Sequence, residues 1–150
     1  MKNLKSYLII LLSVFAFSSC STDKTMIAKG VNFNKYEYAS LVQTRNSFGT
    51  VNDIEIEHGI YDAIESTRLQ MVGDRRINDL SPEQKEKLVL AKYSATSNEN
   101  ESVLSVSFED YMTGKTVASC RASSKGAWTR QKDVDRAIKK LCDRIAKVWR

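Results

Sequence analysis

From Gln131 to Trp149 the apolar residues fall on one side of a helix, and no other stretch constrains the fold as much. At about 100° per residue, Val134, Ala137, Ile138, Leu141, Cys142, Ile145, Val148 and Trp149 share an arc of roughly 140°. A helix this two-sided is stable only when a second layer covers its apolar stripe. The rest of the chain must supply that layer.

Strand patterns lie just upstream. In Ser102 to Tyr111, Leu104, Val106 and Phe108 alternate with Ser105 and Ser107, the two-residue period of a half-buried strand. Lys87 to Thr96 and Thr116 to Ala122 read as its neighbours, joined through the polar turns Ser97–Glu101 and Met112–Lys115. Tyr36 to Val42 has strand composition, and Leu69 to Val72 fits a short strand. From Asp53 to Thr67 the period is helical, with Ile56, Ile60, Ala63, Ile64 and Thr67 in one stripe and acids in the first turns. Ser81-Pro82-Glu83-Gln84 predicts a capped, short turn of helix. Together these predict an α+β domain, a mainly antiparallel four- to five-stranded sheet with two amphipathic helices packed on one face.

The first nineteen residues are of another kind. Lys2 and Lys5 precede an apolar run from Tyr7 to Phe17, broken once by Ser13 and followed by the small residues Ser18 and Ser19. That is the layout of a cleaved secretory signal. The run is shorter than the eighteen or so residues a spanning helix needs. Phe17-Ser18-Ser19-Cys20 resembles the lipobox of bacterial lipoproteins. The resemblance implies that Cys20 carries acyl chains and becomes the first mature residue. It departs from the commoner pattern at Phe17 and Ser19. The expected organisation is a signal peptide over 1–19, a lipidated cysteine and flexible tether over 20–34, and one α+β domain over 35–150. Ser21 behind the cysteine resembles lipoproteins sent on to the outer membrane. The domain is then expected to face the periplasm.

Removing 1–19 takes away two lysines and no acids, so the net charge falls from +5 to +3. That charge is unevenly spread. Residues 121–150 hold ten Lys/Arg against Asp133, Asp135 and Asp143, while residues 20–120 sum to −4. The last helix turns Arg136, Lys139, Lys140, Arg144 and Lys147 outward. Such a face suits anionic headgroups or an acidic protein. The plainer reading is a solvated helix face whose late cations suit its negative end. Export argues against nucleic acid.

Cys120 and Cys142 form an even pair in an oxidising compartment, able to bridge strand to helix or to sit as two small buried thiols. His58 is the only histidine, with Glu55 and Asp62 nearby; the plain reading is a solvent-facing side chain among acids. Gly114-Lys115-Thr116 imitates the end of a phosphate-binding loop, but Glu109 stands where that loop needs glycine and no helix follows. No metal or cofactor motif is present. Trp149 belongs to the core arc. Trp128, in Gly126-Ala127-Trp128-Thr129, either packs against the sheet, the plainer reading, or anchors a partner.

Over roughly Asp53 to Lys147 the chain carries an amphipathic first helix, Gly73-Asp74-Arg75 leading to Leu80-Ser81-Pro82-Glu83-Gln84, the hairpin Val103 to Phe108 with Asp110, Thr113-Gly114-Lys115 and Val117, and a closing amphipathic helix. In these it resembles the group of envelope domains that includes the LpoB, CsgG and TolB amino-terminal domains. It implies a non-enzymatic assembly factor or protein-binding adaptor. The short tether departs from LpoB, and the short segment after Arg75 departs from CsgG. The alternative expectation is an accessory of lipid transport, holding an apolar ligand between sheet and last helix.

Overall fold

The computed structural model describes residues 23–42, 51–97 and 101–150. The signal segment, Cys20 and most of the Arg45–Asn52 loop lie outside the described residues, as does the tip of the Ser97–Glu101 turn. In chain order the elements are β1 (Lys24–Ile27), a 3₁₀ turn (Phe33–Lys35), β2 (Tyr38–Val42), α1 (Val51–Glu65), β3 (Gln70–Met71) and a second 3₁₀ turn (Asp74–Asp79). Then follow α2 (Pro82–Glu86), β4 (Leu88–Ser97), β5 (Glu101–Asp110), β6 (Thr116–Lys125) and α3 (Arg130–Val148).

The strands form one sheet in the order β1-β6-β5-β4-β2-β3. The β1–β6, β6–β5 and β5–β4 pairings are antiparallel, while β2 runs parallel to both β4 and β3. The α+β class therefore holds, but the sheet has six strands and is mixed. Parallel pairing of β2 with β4 requires a long crossover, which α1, β3 and α2 provide.

In β5, the buried Ser102, Leu104, Val106, Phe108 and Asp110 alternate with the half-exposed Val103, Ser105, Ser107 and Glu109. The buried set faces the helices. Cys120 and Ala122 of β6, Ala91 and Tyr93 of β4, Ile56, Ile60 and Ile64 of α1, and Val134, Leu141 and Ile145 of α3 join it in one apolar core. Each large side chain removed from water in this way contributes about 1.5–3 kcal/mol.

α1 and α3 pack against each other where Gly59 leaves room: a Cβ there would lie 2.7 Å from Ile138 Cγ2. α2 starts as its sequence predicts. Ser81 Oγ accepts from the Gln84 N–H at 3.2 Å, and Gln84 Oε1 accepts from the Ser81 N–H at 2.9 Å.

The tether expected over 20–34 is corrected by the fold, whose described part begins at Asp23. β1 pairs with β6 from Lys24 opposite Arg121 to Ile27 opposite Ala118. Asp23 accepts from the Ser123 N–H at 2.7 Å and forms ion pairs with Lys140 and Arg144 at 3.4 and 3.7 Å. Burial disfavours its charge, but the Ser123 N–H, Lys140 and Arg144 outweigh that and hold its carboxyl below the ordinary range.

Phe33 and Tyr36 then reach the far end of α3. They meet Trp149 edge-on, with ring centroids 5.0 and 5.9 Å away, and Phe108 meets it at 5.1 Å. Arg68 secures this segment by donating to the Tyr36 carbonyl at 2.7 Å and to the Phe33 carbonyl, its guanidinium 5.9 Å from the Trp149 ring. Trp149 is completely buried.

Candidate functional site

The loop between β6 and α3 presents an exposed tryptophan from a hydrogen-bonded backbone. Gly126 takes φ +80°, a conformation that other residues adopt only with strain, and turns the chain out of the strand. Asp133, buried in the first turns of α3, accepts from Ser124 Oγ at 2.8 Å and from the Ala127 N–H at 3.2 Å. Thr129 caps the helix, its Oγ1 accepting from the Lys132 N–H at 3.3 Å. The backbone is thus fixed on both sides of Trp128, whose side chain is 96% exposed. Packing against the sheet, the plainer reading of the sequence, is overturned. Lys125 and Lys132, close to it in sequence, are also exposed.

The outward cations of α3 divide into two sets. Lys140 donates to the Ser123 carbonyl at 2.8 Å, and Arg144 donates to Thr25 Oγ1 at 3.2 Å; both also face Asp23. These two fasten the start of the described chain to the helix. Arg136, Lys139 and Lys147 are exposed, with no partner among the described residues, and form the free part of the basic face.

The two cysteines are free thiols, so the bridge weighed from the sequence is not formed. They point at different neighbours. Cys120 is sealed beneath α3, and burial pushes its thiol up to about 11 against weaker pulls from Thr25 and Arg144. Cys142 faces α1, donates to the Gly59 carbonyl at 3.2 Å, and is also raised, by burial first and then by Asp143.

His58 projects from the exposed side of α1, where Ile54, Glu57, Tyr61 and Asp62 line an open depression of about 390 Å³ with it. A second, polar cavity of about 300 Å³ lies among Tyr38, Gln70, Arg76, Asp79 and Gln84. The apolar groove expected between sheet and last helix is filled by Phe108, Val106, Leu141, Ile145 and Trp149, each 1% exposed or less. Among the described residues no three potential metal ligands come together, and no helix is long and apolar enough to cross a membrane.

No family model matches the chain, and no curated protein matches it in sequence. Solved structures do. The fold resembles that of PelC. The PelC dodecamer from Paraburkholderia phytofirmans superposes with a TM-score of 0.54 at 10% identity, over 83% of this chain and 99% of that one. A single-substitution variant of the same PelC, also a dodecamer, gives 0.50 at 6% identity with the same coverage. A PDZ domain protein from Parabacteroides distasonis gives 0.47 at 13% identity, over 81% of this chain and 34% of that one. At this identity the likeness to PelC is one of fold.

Sequence reasoning placed Trp149 in the core, but it gave no structural role to Asp23, Asp110 or Asp133. Asp110 ends β5 and accepts from Lys35 Nζ at 2.7 Å, the Tyr36 hydroxyl at 2.9 Å, the Thr113 N–H at 2.8 Å and Thr113 Oγ1 at 3.0 Å. The Asp-x-x-Thr-Gly spacing carried the local half of that signal. Burial pushes its carboxyl up, but these donors prevail and bring it to about 2. Tyr36 is raised to about 12, by burial first and then by Asp110.

Proposed function

We propose that this chain is a lipid-anchored, non-enzymatic envelope lipoprotein. In this reading it serves as an adaptor or assembly factor, held at the outer membrane by acyl chains on Cys20 with its body facing the periplasm. The observation that carries the assembly role is the fold shared with PelC, which is built into a dodecamer. The lipobox-like Phe17-Ser18-Ser19-Cys20 carries the anchor. The likeness to the LpoB, CsgG and TolB group belongs to the same proposal. The unpaired Arg136, Lys139 and Lys147 offer an acidic protein surface a place to bind. The filled space beneath α3 disfavours a carrier of apolar ligands.

Native and intact-mass spectrometry of protein extracted from membranes in mild detergent tests both parts. The expected species begins at an acylated Cys20 and is a multimer or a complex of fixed stoichiometry. A monomer without bound protein overturns the adaptor reading. A bare amino terminus overturns the anchor.

A further inference from the structure

Trp128 is almost wholly exposed although its backbone is held by Asp133 on one side and the Thr129 cap on the other. A large apolar ring presented by a fixed loop, with the exposed Lys125 and Lys132 close to it in sequence, combines the two groups that favour a membrane–water interface. The position of the described chain's first residue says which surface it meets. Asp23 is fastened to Ser123, only two residues before the end of β6. Trp128 lies five residues after Ser123, at most about 18 Å along the chain. In the other direction only Ser21 and Thr22 separate Asp23 from Cys20, so their Cα atoms lie within about 11 Å of each other.

We infer that the β6–α3 loop is a second membrane contact. Trp128 inserts among the headgroups of the leaflet that holds the acyl chains of Cys20, and Lys125 and Lys132 face anionic lipid. The inference rests on the lipid-anchor reading and adds an orientation to it. The domain sits on its anchor by one end, leaving the open sheet face and the free cations of α3 available to other proteins.

The two tryptophans make this measurable, because Trp149 is buried and Trp128 is exposed. Full-length protein, its acylation verified by intact mass, is reconstituted into phosphatidylethanolamine–phosphatidylglycerol vesicles with or without brominated acyl chains. The expected result is a blue shift of Trp128 emission and roughly twofold or greater quenching of it by the brominated chains. Both effects disappear in Trp128→Phe, whose remaining Trp149 is unquenched. Acylated protein with a red-emitting, unquenched Trp128 overturns the inference while leaving the anchor intact. Blue-shifted but unquenched emission also overturns it, since protein rather than lipid then covers the ring. A bare amino terminus in the mass spectrum removes the anchor itself, and this contact with it.

Discussion

Replacing Asp110 with Asn removes the charge on which four donors from two separated segments converge. Its carboxylate is nearly buried, with a side-chain exposure of 6%, so solvent does little to screen the contacts. The drop from the ordinary 3.8 to about 2 corresponds to about 2.5 kcal/mol of stability at neutral pH. The raised Tyr36 hydroxyl reports part of the same contact and is not added. Asparagine can still accept at one oxygen, so Asp110→Asn is expected to lose about 2 kcal/mol at pH 7. The pH dependence is the sharper test. Because the folded value is depressed, the stabilisation is complete above the unfolded value near 3.8 and drains away as pH falls through about 2. The gap between wild type and variant should therefore be constant from about pH 7 to 5 and narrow steadily below that, nearly closing by about pH 2. Asp23 titrates in the same direction in both proteins and cancels in the difference. Urea unfolding followed by tryptophan emission across this range measures the gap. A difference below about 0.5 kcal/mol at pH 7, or one that does not change on acidification, refutes the account.

Other outcomes follow from the packing. Trp149→Ala should lose about 3–5 kcal/mol in denaturant unfolding; Trp149→Phe should lose clearly less, because the indole N–H has no hydrogen-bond partner among the described residues. Equal losses would mean the ring contacts are not what matters. Gly59→Ala should destabilise by about 1–3 kcal/mol despite alanine's better helix propensity, because its Cβ would strike Ile138; a gain in thermal midpoint would show that the helices can move apart. In the folded protein Cys120 should resist thiol reagents until unfolding, with Cys142 reacting first; prompt labelling of Cys120 would contradict its burial.

What the sequence disclosed was whatever repeats along one element. The stripe of α3, the alternation of β5 and the Ser81 cap are local patterns, and all three appear in the structure. β1 escaped because its four residues are all exposed, so no burial rhythm marks it and only its partner β6 defines it. The parallel placement of β2 escaped for a related reason: strand direction depends on a crossover, which leaves no trace within the strand. Phe33 looked like part of a tether and Tyr36 like the start of a strand, because their shared target, Trp149, is far away in sequence. Trp128 was misread because its exposure is set by Gly126, Asp133 and Thr129 acting together, not by periodicity. Asp23 and Asp110 share that character: each joins segments that no short window contains.

The junction of Phe33, Tyr36 and Trp149 also dictates when the domain can become whole. A polypeptide delivered amino end first must wait with its leading aromatics unmated until residue 149 arrives. Contacts so distant in sequence form slowly. Stalled chains ending short of that residue should stay vulnerable to protease near Phe33, while chains reaching it should abruptly become resistant.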